Sequence, residues 1–158
     1  MPTIATSIDI KVPVKIAYNQ WIQFETFPYF MQSVINVKQL DDRHVWWLAQ
    51  ADGHAVEWEA EIVEQVLDDY IAWGSISGVH NAGVVSFQQV DSHSTRVRLE
   101  IEYECEEFVE VASDITDRLE RKIVEDLERY RHLLESRKLS GGSWHRQFAD
   151  RIGLSSRY

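Results

Sequence analysis

The sequence predicts an α+β fold in which one antiparallel sheet of seven strands lies against a single long C-terminal helix. Three observations carry that expectation. Residues 34–104 contain six segments of period-two alternation, bounded by residues that favour tight turns. Residues 3–12 alternate in the same way, and two short helical patterns follow them. Residues 106–137 contain no Pro or Gly and repeat apolar side chains at steps of three and four, as a helix with one buried face does.

In chain order, the first strand sets Ile4, Thr6, Ile8, Ile10 and Val12 against Ala5, Ser7, Asp9 and Lys11. Pro13 ends it and suits the first turn of a helix, where a missing N–H costs nothing. Val14, Ala17, Tyr18 and Trp21 then follow helical spacing. A second short helix is predicted over 26–32, with Phe27, Phe30 and Met31 as its apolar side. Six strands follow at 34–40, 43–51, 54–66, 69–76, 81–90 and 94–104. Asp41-Asp42, Asp52-Gly53, Asp68-Asp69, Gly78 and Asp91-Ser92 supply the turns, so the strands form a meander. The last strand alternates most cleanly, with Thr95, Val97, Leu99, Ile101 and Tyr103 on one face and Arg96, Arg98, Glu100, Glu102 and Glu104 on the other. Val56, Trp58, Ala60 and Ile62 likewise oppose Glu57, Glu59 and Glu61.

The helix at 106–137 carries the stripe Phe108, Ala112, Ile115, Leu119, Ile123, Leu127, Tyr130 and Leu134. Asp114 with Arg118, Asp117 with Arg121 and Glu125 with Arg129 stand four apart, acid first, the better orientation for a surface pair. Its length is roughly 45 Å. A two-sided helix of that length needs a broad apolar surface, and only the sheet offers one. Replacing Leu119 or Ile123 by Asp is therefore expected to undo the fold.

The chain of 158 residues suits one domain, 1–137, with a separate tail, 138–158. Charge divides the same way: residues 1–137 carry net −13 and residues 138–158 net +3. An acidic body disfavours nucleic acid and anionic membrane as main partners. Cys105 is the single cysteine, so no internal disulfide can form. The N-terminus has no basic segment leading into an apolar run, and no stretch reaches eighteen apolar residues. A cytoplasmic protein with no integral membrane segment is expected.

The order of elements, with particular residues, resembles the START-like (SRPBCC) superfamily and within it the bacterial polyketide cyclase/dehydrase-type group. The resemblance rests on the opening strand into Val12-Pro13, on Phe27-Pro28 with Phe30-Met31, and on Trp58-Glu59-Ala60-Glu61-Ile62. Ile71-Ala72-Trp73, Asn81-Ala82-Gly83-Val84-Val85-Ser86-Phe87, Thr95-Arg96-Val97 and Tyr103 complete it, over about residues 3–135. It implies a helix-grip fold: a curved seven-stranded sheet around the long C-terminal helix, with a cavity between them and two short helices after the first strand. It implies binding of a small hydrophobic molecule (lipid, quinone-like or polyketide-like) by a carrier or sensor. The alternative is a polyketide cyclase/dehydratase that closes a ring by aldol chemistry and removes water without a cofactor. The chain departs from similar ones at Glu104-Cys105-Glu106-Glu107-Phe108-Val109-Glu110, which is short and acidic rather than rich in Pro and Gly.

Inward positions give the candidate ligand-binding residues: Trp58, Trp73, Val85, Phe87 and Tyr103 from the strands, Leu119 and Ile123 from the helix. Aromatic walls with few polar groups suit a flat apolar ligand. Periodicity alone is equally consistent with side chains that meet in a filled core. His80 and Asn81, side by side in the turn Ser77-Gly78-Val79-His80-Asn81, are with Tyr103 the candidate catalytic groups. A His near its usual pKa could move a proton and an Asn could hold a carbonyl oxygen. The alternative is a turn held by Asn side-chain bonds to backbone. His44, His54, His80, His93, His132 and His145 show no metal-ligand spacing, so no metal is expected. Gly74-Ser75-Ile76-Ser77-Gly78 has Ile at its centre and is no nucleophile elbow. Residues 14–32 are expected to form a lid over one end of the cavity, since Phe27, Phe30 and Met31 have no other evident burial partner.

In the tail, Ser140-Gly141-Gly142 is a hinge, and Trp144, Phe148 and Ile152 stand four apart among His145, Arg146 and Arg151. That spacing fits a short basic amphipathic helix needing a partner surface. Docking on the acidic body, a homodimer built through the tail, and contact with a membrane surface are the alternatives.

Overall fold

A computed structural model describes residues 3–51, 53–103 and 112–140. The alternating segments form seven strands: β1 Thr3–Ile10, β2 Val34–Gln39, β3 His44–Ala51, β4 His54–Val66, β5 Tyr70–Gly78, β6 Asn81–Asp91 and β7 Ser94–Tyr103. They build one sheet in the order β1-β7-β6-β5-β4-β3-β2, with every neighbouring pair antiparallel. Five hairpins run from β2 to β7, and β1 adds to the far side of β7. The chain between β1 and β2 must therefore cross from one edge of the sheet to the other. It does so as α1 Val14–Trp21 and a 3-10 helix Phe24–Tyr29. The last element is the long helix α2, Ala112–Ser140. This is the helix-grip arrangement.

The turns explain their residues. Gly78 has φ +79°, and a Cβ there would stand 2.2 Å from the Glu57 carbonyl oxygen, so the two-residue β5–β6 turn needs Gly. β5 consequently runs two residues beyond the expected 76. The second short helix also departs from its expected 26–32. Pro28 lies inside a 3-10 helix that ends at Tyr29, and the N–H groups of Phe30 and Met31 both donate to Phe27 O.

The core is densest where the crossing segment meets the C-terminal half of α2. Leu127, Tyr130 and Leu134 are buried there. The Tyr130 hydroxyl donates to Ala17 O at 2.6 Å, and its ring meets Trp21 at 5.3 Å and Phe30 at 5.4 Å. Arg137 donates to Gln20 Oε1 at 2.7 Å. Phe27 packs on Trp21, Phe30 and Trp47. Phe27 and Phe30 are thus buried against Trp21, Trp47 and Tyr130, and their burial does not require a lid over a cavity.

The stripe on α2 is uneven. Leu119 and Ile123 are only half-buried, and Val124 beside them is exposed. Along α2 the well-buried leucines are therefore Leu127 and Leu134, not Leu119, and Ile123 is likewise less buried. The expected Glu125–Arg129 pair also gives way: Arg129 pairs with Asp126 and donates to Phe30 O at 3.0 Å. α2 runs on to Ser140, past the expected end at 137, while the predicted start of the helix at 106, the acidic run 104–110 and residues 141–158 of the tail lie outside the described residues.

Candidate functional site

The strand registers fix which side chains share the inner face. Phe87 lies opposite Val97, Val85 opposite Leu99, Gly83 opposite Ile101, and Asn81 opposite Tyr103. On the other side of β6, Ile71 lies opposite Val85 and Trp73 opposite Gly83. Trp58 lies opposite Trp47 on β3. Each of these pairs points to the same face because the period is two.

The position of α2 along this face follows from one contact. Lys11 N–H, just past β1, donates to the Glu135 carboxylate at 3.0 Å. Going back from Glu135 to Leu119 covers about 24 Å of helix, while going back from Lys11 to Ile4 covers about 23 Å of strand. Leu119 therefore lies near the level of Ile4, which pairs with Ile101. The first half of α2 runs at the Trp73–Gly83–Ile101 end and the second half at the Phe87 end.

The two ends differ in filling. At the Phe87 end, Phe87 meets Tyr18 at 5.5 Å and Trp21 at 6.2 Å, both edge-on, and Val85 is fully buried. At the other end Trp58, Trp73, Ile101, Leu119 and Ile123 are all half-buried. Ile4 and Tyr103 are buried at this end too, but these five keep part of their surface exposed, which makes it the candidate cleft. Trp47 joins the two regions: it packs edge-on against Phe27 at 5.2 Å and stacks on Trp58 at 6.0 Å with the planes 5° apart. Two open depressions, of about 570 and 650 Å³, lie on the flank of α2, and none of the sequence-predicted site residues lines them.

Polar groups at the open end are few and engaged. The Trp73 indole N–H donates to Asn81 Oδ1 at 3.2 Å. Asn81 Nδ2 donates to Val79 O at 3.3 Å, and its backbone N–H donates to Ser75 Oγ at 3.0 Å. Asn81 thus holds the turn and the indole together. His80 is half-buried in that turn, and Tyr103 is buried opposite Asn81. Glu100 and Glu102 are exposed on the outer face. Among the described residues, no cluster of three or more His, Cys, Asp or Glu is grouped to hold a metal ion.

Of the predicted ligand residues, the structure places Trp58, Trp73, Leu119 and Ile123 at the open end and Tyr103 near it. It places Val85 and Phe87 deeper, where α1 fills the space. Sequence reasoning did not single out Trp47 and Gly83. The tandem Trp46-Trp47 hides which ring faces inward; Trp46 faces outward, where its indole N–H donates to Glu57 at 3.0 Å. Gly83 carried a readable signal, since Gly inside a strand often marks a close approach.

Two other charged clusters stand apart from the cleft. Asp126 is buried and accepts the Gln32 N–H at 3.1 Å; desolvation pushes its carboxyl above the usual range despite Arg129. His44 sits between Asp41 and Glu61, and its bond to Asp41 raises its pKa above the ordinary imidazole value.

Comparison with known proteins agrees with this architecture. Residues 10–130 match the family model described as polyketide cyclase / dehydrase and lipid transport. An uncharacterized 17.2 kDa protein from the melC2-rnhH intergenic region of Streptomyces lincolnensis is 37% identical over 145 residues, covering 91% of this chain and 97% of that protein. Among solved structures, the fold is similar to the Zhui aromatase/cyclase from Streptomyces sp. R1128, with TM-score 0.75 and 15% identity over 89% of this chain and 98% of that one. It is also similar to a START superfamily protein from Mycobacterium smegmatis, with TM-score 0.72 and 10% identity over 84% of this chain and 98% of that one. The chain belongs to the polyketide cyclase/dehydrase and lipid transport family.

Proposed function

We propose that the chain binds a small apolar molecule (a lipid, a quinone-like ring or a polyketide-like chain) at the open end of the concave face and acts as a carrier or sensor. The observation that carries this reading is the uneven filling of one continuous apolar face. Five large apolar side chains from strands and helix are left half-buried toward one end, while on α2 the stripe is buried from Leu127 onward, at Leu127, Tyr130 and Leu134. Exposed apolar surface of this kind gains free energy when a ligand covers it, roughly 25 cal/mol per Å² before binding costs. The family description, which includes lipid transport, supports the same reading. Titration with the neutral fluorophore N-phenyl-1-naphthylamine tests it. Emission that rises and saturates at one site per chain supports binding; emission that grows linearly with probe overturns it.

A cyclase/dehydratase is the second reading, favoured by Tyr103 and Asn81 facing each other at the rim of the cleft. There the Tyr103 hydroxyl would give its proton to the ketone oxygen as the enol carbon bonds to the ketone carbon, and regain a proton from the enol O–H, while the cleft would set which carbons meet. The fold it shares with the aromatase/cyclase named above is compatible with this chemistry. Turnover of a synthetic poly-ketone, lost in Tyr103→Phe with the fold retained, would establish it. Binding without turnover leaves the carrier reading in place.

A further inference from the structure

Trp73 makes an unusual approach to its neighbour strand. A Cβ built on Gly83 would lie 2.5 Å from Trp73 Cζ2 and 2.8 Å from Cη2. The benzo edge of the indole therefore rests directly on the Gly83 backbone, in the space any other residue's side chain would take. Nε1, on the pyrrole ring and joined to Cζ2 through Cε2, donates to Asn81 Oδ1 two residues earlier on the same strand. The ring is thus laid along β6, fixed at one end by a hydrogen bond and admitted at the other by a missing side chain. Asn81 is itself fixed by Val79 O and Ser75 Oγ. Trp73 remains half-buried, so part of the ring borders the cleft.

We propose that Gly83 and Asn81 are positioning residues that hold the Trp73 indole flat on the sheet, and that this posture sets how large an apolar ligand the cleft admits. The inference rests on the binding reading above and names the residues that determine size selectivity within it. An indole lying along β6 leaves the space above it to the ligand; an indole lifted off β6 would stand in that space. Any side chain at position 83 forces the second posture. The Cβ would also meet Glu100 O at 2.7 Å, so backbone and ring are both crowded.

Two neutral probes of different size read the effect, N-phenyl-1-naphthylamine and the broader four-ring pyrene. Trp73→Phe removes ring volume without crowding and is expected to improve pyrene binding about tenfold relative to the smaller probe, the scale that one or two carbon groups have in an apolar pocket. Asn81→Leu removes the acceptor for the indole. It is expected to speed exchange of the Trp73 indole proton about tenfold or more in NMR, and to weaken pyrene binding more than binding of the smaller probe. Gly83→Ala is expected to act in the same direction as Asn81→Leu and more strongly; should it fail to fold, the other two variants carry the test. A ratio of affinities unchanged in both Trp73→Phe and Asn81→Leu, with wild-type protein binding both probes, overturns this inference alone. Wild-type protein that binds neither probe overturns the binding reading, and this inference with it.

Discussion

Tyr130 shows how one side chain ties three elements together. Its ring fills the junction of α1, the 3-10 helix and α2, and its hydroxyl satisfies Ala17 O in a dry site where burial raises its pKa far above the usual phenol value. Tyr130→Phe keeps the ring and deletes the hydrogen bond, so a loss of about 1–3 kcal/mol is expected in urea denaturation. Asp126 works in the opposite sense. Its folded-state pKa is raised from 3.8, so the folded state holds the proton more tightly than the unfolded state. Stability from this group falls as pH rises from 3.8 through the raised value, and the cost is fully present above it. Asp126→Asn keeps an acceptor for the Gln32 N–H and removes the buried charge. Its stability at pH 7 should stay within about 1 kcal/mol of wild type or exceed it, and the slope contributed in the acid range should vanish. A loss several times larger would mean that the pair with Arg129 outweighs desolvation.

At the scale of elements, α2 is one helix with two jobs. Its second half is an anchor: Leu127→Ala or Leu134→Ala is expected to cost about 2–5 kcal/mol. Its first half borders the cleft, and Leu119→Ala should cost less than half of that while weakening probe binding. Equal destabilisation at Leu119 and Leu134, measured by thermal melting, would mean that the helix is gripped evenly. The sheet was legible in the sequence because its cue is local. Alternation at Thr95–Tyr103 and Val56–Ile62 assigns each side chain to a face without knowledge of the rest. The way that face is filled was not legible. Phe87 and Trp73 have the same parity along neighbouring strands, yet one is buried against Tyr18 and Trp21 and the other keeps part of its surface exposed. The difference is set by where α1 lands, which depends on the crossing between the sheet's two edges. Asp126 was hidden for the same reason: it becomes buried only because the segment before β2 lies against α2.

For the whole molecule, the net charge of −10 bears on which ligands reach the cleft. Long-range repulsion disfavours anions and is screened by salt over about 10 Å at 0.1 M. Binding of neutral N-phenyl-1-naphthylamine should therefore be indifferent to ionic strength. The sulfonated analogue should bind about twofold or more tightly when salt is raised from low to physiological levels. Salt dependence of equal size for both probes would point to a change in the protein rather than to screening. No described helix is long and apolar enough to cross a membrane.

The apolar face is more completely buried at the Phe87 end than at the Trp73 end, and the proposed ligand enters at the Trp73 end. The most direct measurement follows the indole N–H signals of Trp58, Trp73 and Trp21 by NMR while a neutral apolar probe is added. Trp58 and Trp73 should shift together and saturably, while Trp21, locked against Phe27, Phe87 and Tyr130, should stay in place. Binding that moves Trp21 while Trp58 and Trp73 remain unchanged would contradict the account.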